Sequence, residues 1–244
     1  TFLHQKVLKL DMKDFHWKAR TVFEIYRVGL PGIVMQSVVS VMTAGLNMIL
    51  IAFSDVAVSV LGIYFKLQTF VFMPTFGINQ GALPVMGFNY GAHNRQRLMS
   101  AYRVALSGAC IIMAAGLVLF QLFSPQMLML FATEGNAETN AQLVAVGVPA
   151  LRTISLSFLG AAFGIINSTF FQAIGRGIAS LIVSVCRQLI VLLPAAWLLG
   201  KFYGLEAIWW SFPIAEIAAF LISFILLYHA YHTEIRFLDA PKEG

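Results

Sequence analysis

The sequence predicts an all-α integral membrane protein with six transmembrane helices, and three observations predict it. Hydrophobic residues make up 59% of the 244, charged residues only 11%, and the mean hydropathy is +0.80. Soluble globular chains carry roughly 45–50% apolar and ~25% charged residues. Six segments reach the length of about 20 mostly apolar residues that a helix needs to cross a ~30 Å hydrocarbon core. Lysine and arginine collect in alternate connectors, as they do in the cytoplasmic loops of membrane proteins. The same composition excludes a disordered chain, which needs low hydrophobicity and high charge. Two cysteines exclude a disulfide scaffold.

The elements follow in order. Among residues 1–20, Leu3, Val7, Leu10 and Trp17 share one helical face, and Lys6, Lys9, Lys13 and Arg20 mark the rest. That pattern suits an interfacial helix on an anionic leaflet, or equally a plain basic linker ahead of a span. The spans are expected at 25–53, 57–89, 98–123, 143–171, 178–199 and 207–231. The second is long enough to tilt or break. The run of residues 111–120, IIMAAGLVLF, is apolar on every side. Barrel strands would alternate apolar and polar over about ten residues, so helices are preferred. The connectors are Ser54-Asp55, residues 91–97, residues 124–142 as the longest, Gly175-Arg176-Gly177, and residues 200–204. The chain opens on Thr1 and shows no signal-peptide pattern, so it is expected to be a piece of a longer protein.

Charge sets the orientation. Lys6, Lys9, Lys13, Lys18 and Arg20 precede the first span, Arg95 and Arg97 follow the second, Arg176 follows the fourth, and Arg236 and Lys242 close the chain. The opposite side carries Asp55, Glu134, Glu138 and Glu206 against a single base, Lys201. Both termini are therefore expected in the cytoplasm. Trp197, Trp209 and Trp210 fall near the outer ends of their spans, and Tyr228 and Tyr231 near an inner end, as aromatic belts do.

Ionisable residues inside spans are costly and are functional candidates by default. Four stand out: Lys66, Arg152, Arg187 and Glu216. Arg27 and Arg103 lie nearer span ends and can snorkel. At ~1.5 Å per residue, Lys66, Arg152 and Glu216 each lie about nine residues, roughly 13 Å, below the outer surface. Arg187 lies about nine residues from the inner surface and competes within the precision of the span ends. Depth does not choose the partner of Glu216. The residue is expected to be ionised and paired within the bundle; the functional alternative is a protonatable carboxylate that couples proton flow to transport.

Gln36, Ser40, Thr43 and Asn47 are spaced four, three and four, which places them on one helix face. Gln68, Thr69, Thr75, Asn79 and Gln80 add polarity to the second span, and Asn167, Ser168, Thr169 and Gln172 to the end of the fourth. Such faces meet either a neighbouring helix or a water-filled cavity. Gly77-x-x-x-Gly81, Gly87-x-x-x-Gly91 and Gly160-x-x-x-Gly164 permit close helix approach. Pro74 and Pro84 are expected to interrupt the second span, Pro194 the fifth and Pro213 the sixth, a trait common in transporters. Met35 and Met42 could offer adaptable apolar contacts, or simply pack. Cys110 and Cys186 read as small core residues. His229-x-x-His232 near Glu234 has metal-ligand types but sits at an interface beside two tyrosines, and no metal site is assigned there. Gly175-x-Gly177 lacks the third glycine and preceding strand of a dinucleotide loop. No nucleophile–base pair is visible, so no catalytic residue and no enzyme activity is assigned.

The run Phe76-Gly77-Ile78-Asn79-Gln80-Gly81-Ala82-Leu83-Pro84, followed by Asn89-Tyr90-Gly91-Ala92, resembles the eighth helix of multidrug and toxic compound extrusion (MATE) transporters. Further matches fall in family order: Gly29-Leu30-Pro31, Gln172 before Gly175, Arg187 before Pro194, and Trp210-x-x-Pro213-x-x-Glu216. The stretch from Gly62 to Ala92 is most specific and is similar to the bacterial DinF/MepA-like branch. The resemblance covers essentially the whole chain.

The resemblance implies the C-terminal lobe, helices seven to twelve of twelve, of an exporter in the bacterial inner membrane. It implies exchange of organic cations and amphipathic drugs for H⁺ or Na⁺, with no other cofactor. Residues 1–20 would be the cytoplasmic linker between lobes, 21–232 the transmembrane lobe and 233–244 a cytoplasmic tail. The partners would be the lipid bilayer, the N-terminal lobe and the drugs, with no nucleic acid. Gln36, Ser40, Thr43, Asn47, Asn79 and Gln80 would line the cavity between lobes. Some branches carry an acid in helix seven and another in helix ten, but residues 31–53 and 152–175 contain none here. The coupling-ion site is then expected in the N-terminal lobe. Two rivals make different demands. A lipid-linked saccharide flippase needs several cavity-facing bases, for which only Lys66, Arg152 and Arg187 are available. A self-contained six-helix scaffold or channel needs a symmetric homo-oligomer.

Overall fold

A computed structural model describes residues 19–132 and 137–238. The expectations for residues 1–18, Glu134 and Lys242, and for the side chains of Arg27, Gly29 and Pro31, lie outside the described residues. The described chain is helical throughout, in the order α1 (Ala19–Ile51), α2 (Asp55–Gly91), α3 (Arg95–Met129), α4 (Ala137–Ser155), α5 (Phe158–Ala173), α6 (Gly177–Val185), a π-helical segment (Cys186–Leu192), α7 (Leu193–Tyr203), α8 (Leu205–Ile208) and α9 (Ser211–Thr233), then a 3₁₀ turn (Ile235–Phe237). Five helical stretches are long and apolar enough to cross a membrane, and the bent pair α4–α5 brings the spans to six.

Local chemistry explains the ends. Ser54 caps α2 by accepting from the Val56 N–H at 3.1 Å, and Asn94 caps α3 by accepting from the Arg97 N–H at 2.9 Å. After α5, Gly175 takes φ +77° while the Arg176 N–H reaches the Phe171 carbonyl, a left-handed stop that glycine adopts freely.

Prolines behave differently from place to place. α2 runs unbroken through both Pro74 and Pro84, contrary to the expected interruption. A proline removes one N–H, and a helix held along its length by neighbours absorbs that loss. Pro213 lies in the first turn of α9, where its missing N–H has no partner to lose. The fifth and sixth spans are altered where expected: the π-helical turns of Cys186–Leu192 run immediately ahead of Pro194, and the turn at residues 209–210 that parts α8 from α9 lies just ahead of Pro213.

The longest connector is shorter than expected. α3 continues through Pro125 to Met129 and α4 begins at Ala137, so the predicted loop over 124–142 shrinks to 130–136. The fourth span, expected to be continuous, is bent by 47° between Ser155 and Phe158. The two defects meet. Pro125 cannot donate to the Gln121 carbonyl, and Arg152 Nε donates to that carbonyl instead, at 3.1 Å. At the bend, Leu156 and Ser157 bond back to Thr153 and Ile154, so the Arg152 carbonyl loses its usual donor. The Gln121 side-chain amide replaces it at 2.7 Å, together with the Ser155 hydroxyl at 2.8 Å.

Lipid tails are as apolar as leucine, so packing and hydrogen bonding hold such helices together rather than transfer from water. The core sits among α2, α3, α4 and α5. Phe72, Phe158, Phe120, Tyr64 and Phe212 form a chain of edge-on rings with centroids 5.1 to 6.5 Å apart. Trp209, expected in the outer belt, is instead 1% exposed in this core, while Trp197 and Trp210 remain exposed. Ile235 and Leu238, beyond α9, are also buried against the lobe.

Glycines set two of the closest approaches. A Cβ on Gly116 would lie 2.2 Å from Val71 Cγ1, and one on Gly147 would lie 2.7 Å from Leu128 Cδ1. Gly116→Ala is therefore expected to destabilise the lobe by about 1–2 kcal/mol, because Val71 is stiff at χ1. Val71→Ala in the same chain should recover most of the loss, as read by thermal unfolding in detergent.

Candidate functional site

α9 carries Glu216 inward, and the π-helical segment carries Arg187 to meet it. Arg187 Nη1 lies 2.7 Å from Glu216 Oε1, and the two side chains are only 23% and 13% exposed. The seat of Glu216 is the small face of α5. A Cβ built on Gly160 would stand 2.9 Å from Glu216 Cβ, and one on Gly164 would stand 3.8 Å from Glu216 Oε2. The Gly160-x-x-x-Gly164 motif thus admits a carboxylate side chain. The other two glycine motifs do not make close approaches among the described residues: Gly77, Gly81 and Gly91 have open space where a Cβ would go, and Gly87 meets only the Ala173 carbonyl at 3.7 Å.

The remaining bases do not join this pair. Lys66 is exposed with Nζ 5.7 Å from the centre of the Phe131 ring. Arg152 is held by the Gln121 carbonyl. Both are expected from the sequence at the depth of Glu216, but depth is one coordinate. The azimuth of each residue on its helix, and the carbonyl that Pro125 vacates, direct them elsewhere.

Beside the ion pair lies a cavity of about 190 Å³, walled by α2, α5, α6, the π-helical segment and α9. Asn79, Ser168, Thr169, Gln172, Ser184 and Arg187 contribute its polar lining. The Ser168 and Ser180 hydroxyls hydrogen-bond to each other, and the Ser180 hydroxyl also reaches Met35 Sδ at 3.5 Å. Within the same stretch of α5, the Tyr102 hydroxyl donates to Asn167 Oδ1 at 2.7 Å, and both residues are buried.

The polar stripe of α1 has another setting. Val38, Met42, Leu46 and Leu50 form the buried row of that helix, so Met42 is a packing residue. Gln36, Ser40, Thr43 and Asn47 lie roughly a quarter turn round from that row. Gln36 and Ser40 are exposed, and Thr43 and Asn47 are half-buried. The Thr43 hydroxyl is returned to the Val39 carbonyl at 2.9 Å. On α2, Phe76, Gly77, Gln80, Gly81, Pro84 and Phe88 form an exposed row, while Asn79 turns into the cavity.

At one end of the bundle, Arg176 pairs with Glu234 at 2.5 Å, and Arg95 hydrogen-bonds to the Tyr231 hydroxyl. His232 packs against the rings of Tyr228 and Tyr231 at 4.3 and 5.6 Å. The connectors after α2 and α5 and the end of α9 therefore share one side. Cys110 and Cys186 are half-buried free thiols.

The MatE family model matches residues 31–198, and the chain belongs to the MATE family of membrane transporters. It is 26% identical over 204 residues to the multidrug export protein MepA of Staphylococcus haemolyticus, covering 83% of this chain and 43% of that protein. It is 23% identical over 222 residues to MepA of Staphylococcus aureus strain MRSA252, covering 91% and 48%. Two solved structures of a multidrug resistance MATE transporter of the MOP superfamily also match at 26% identity. The outward-facing one has a TM-score of 0.82 over 98% of this chain and 52% of its own, and the inward-facing one 0.78 over 95% and 52%. The chain spans about half the length of the relatives it matches.

Proposed function

We propose that the chain is the C-terminal six-span lobe of a cation-driven multidrug exporter in a bacterial inner membrane, with both termini cytoplasmic. The observation that carries the reading is an unpartnered face within a family match of half length. α1 and α2 turn polar groups, glycines and aromatic rings outward where no other described residue of the lobe covers them. A second lobe set against that face would enclose a cleft lined by Gln36, Ser40, Thr43 and Asn47 of α1 and Gln80 of α2. Asn79 serves the lobe interior. Neutral polar groups interleaved with apolar ones suit organic cations and amphipathic drugs, which need adaptable contacts more than fixed charge partners.

Transport would proceed by rocking one lobe against the other about a site near the midplane. The lobe's similarity to both outward- and inward-facing relatives supports a unit that moves as a body. The driving ion is H⁺ or Na⁺, held by carboxylates of the N-terminal lobe, with Glu216 acting as the paired anion that fixes α9 to the fifth span. Lys66, Arg152 and Arg187, the bases a phosphate-carrying flippase would use, are drawn to Phe131, Gln121 and Glu216, which favours the exporter.

The test is ethidium efflux from cells lacking their own exporters. This chain alone should give none. The chain joined to the N-terminal lobe of the same protein should restore efflux, and an imposed H⁺ or Na⁺ gradient should drive it. Efflux by this chain alone, or movement of a lipid-linked saccharide in place of drug by the joined lobes, would overturn the reading.

A further inference from the structure

We infer that the cavity beside Arg187 binds a small monovalent inorganic anion of the chloride class, and that it does so when Glu216 is protonated. The inference concerns this lobe alone and stands whatever the whole protein carries.

The lining gives the chemistry. Of the cavity's polar residues, one is a guanidinium and the rest are hydroxyls and amides, with no carboxylate among them. Hydroxyl and amide groups donate to an anion as readily as they accept from a cation, and a guanidinium donates only. A cation in the same place would face Arg187 at close range. The volume, about 190 Å³, holds a halide with several waters but not a drug.

The ion pair supplies the gate. Arg187 spends Nη1 on Glu216, and the same residue borders the cavity. Within electrostatic reach of Glu216 stand Arg187 and, from α2, the phenol of Tyr64, whose ring lies 5.7 Å from that of Phe212, one turn before Glu216. On α5, the uncharged Gly160 and Gly164 face it. Protonation of Glu216 would thus leave one buried cation without a counter-charge, and an uncompensated buried charge is strongly unfavourable. A halide entering from the cavity restores neutrality by taking up the guanidinium N–H groups that the carboxylate releases. Proton and anion then arrive together and leave together, and the interior stays neutral at each step.

The test is chloride NMR line broadening with the full-length protein in nanodiscs, at constant ionic strength against gluconate. Glu216→Gln mimics the protonated carboxyl and should bind chloride about tenfold more tightly, or better, than the wild type at about pH 8. The wild type should approach that affinity on acidification to about pH 5, which decides the matter even if the variant fails to fold. Adding Arg187→Met, or Ser184→Leu to fill the cavity, should abolish the gain. The proposal is overturned if neither the variant nor acidification raises affinity, if the gain survives Arg187→Met, or if sodium NMR shows a cation bound there instead.

Discussion

Replacing Arg187 by methionine should destabilise the lobe by about 3–5 kcal/mol, whereas replacing Arg187 and Glu216 together by methionine and leucine should recover most of that loss. The asymmetry follows from burial. Arg187 and Glu216 meet at 2.7 Å in a setting where each is largely withdrawn from solvent. Removing one partner strands the other, and a stranded buried ion costs more than the pair contributes. Removing both leaves an apolar contact of similar volume between α9 and the fifth span, which is often neutral or stabilising. Unfolding of the two variants in detergent, compared by thermal midpoint, measures the difference. If the single and double variants are equally unstable, the pair is replaceable by neither charge nor shape, and Glu216 has a role beyond compensating Arg187.

Arg152→Leu should cost about 2–3 kcal/mol, and Pro125→Ala should suppress that cost although the two residues lie on different helices. Arg152 Nε is the donor to the Gln121 carbonyl at 3.1 Å. That carbonyl needs a foreign donor because residue 125 is a proline. Without Arg152 the carbonyl is left unpaired at the exposed surface of a membrane-spanning helix, and in hydrocarbon an unmade hydrogen bond carries its desolvation penalty. Alanine at 125 returns the N–H that an uninterrupted helix would supply. The double variant should therefore lie well above the sum of the singles, and a double-mutant cycle reads the coupling directly. Additive losses would show that Arg152 is retained for some contact other than this carbonyl.

Much of the architecture is legible along the chain. Hydropathy places the five apolar helical stretches and the bent pair that are long enough to cross a membrane, and the α-helical class follows from runs such as 111–120 that have no alternation. The expected span of 57–89 is realised as Asp55–Gly91, and that of 207–231 as α8 and α9 together. The resemblance around Gly77 and Asn89 leads to the same family that the comparisons show. Legibility fails where the decisive variable is rotational. Trp209 and Trp210 are adjacent, yet one is in the core and the other exposed. Gly77 and Gly81 share the spacing of Gly160 and Gly164, yet only the latter face a neighbour. The bend in the fourth span carries no proline at its apex. Its compensation by Gln121 comes from 31 residues away in the chain, beyond any local signal.

The sequence by itself determined the helical membrane class of this protein and the apolar stretches, up to six, that are long enough to cross. Those are properties of distance along a helix axis, which bilayer thickness and a rise of ~1.5 Å per residue convert directly into position. Only the tertiary structure decided that Glu216 belongs to Arg187 rather than to Lys66 or Arg152. It alone set a polar cavity beside that pair and left one face of α1 and α2 without a partner among the described residues. These depend on which helices are neighbours and how each is turned about its axis. In a bilayer, where every lipid-facing or core-facing apolar residue is equally comfortable, that rotation is chosen by packing and hydrogen bonding, not by hydropathy.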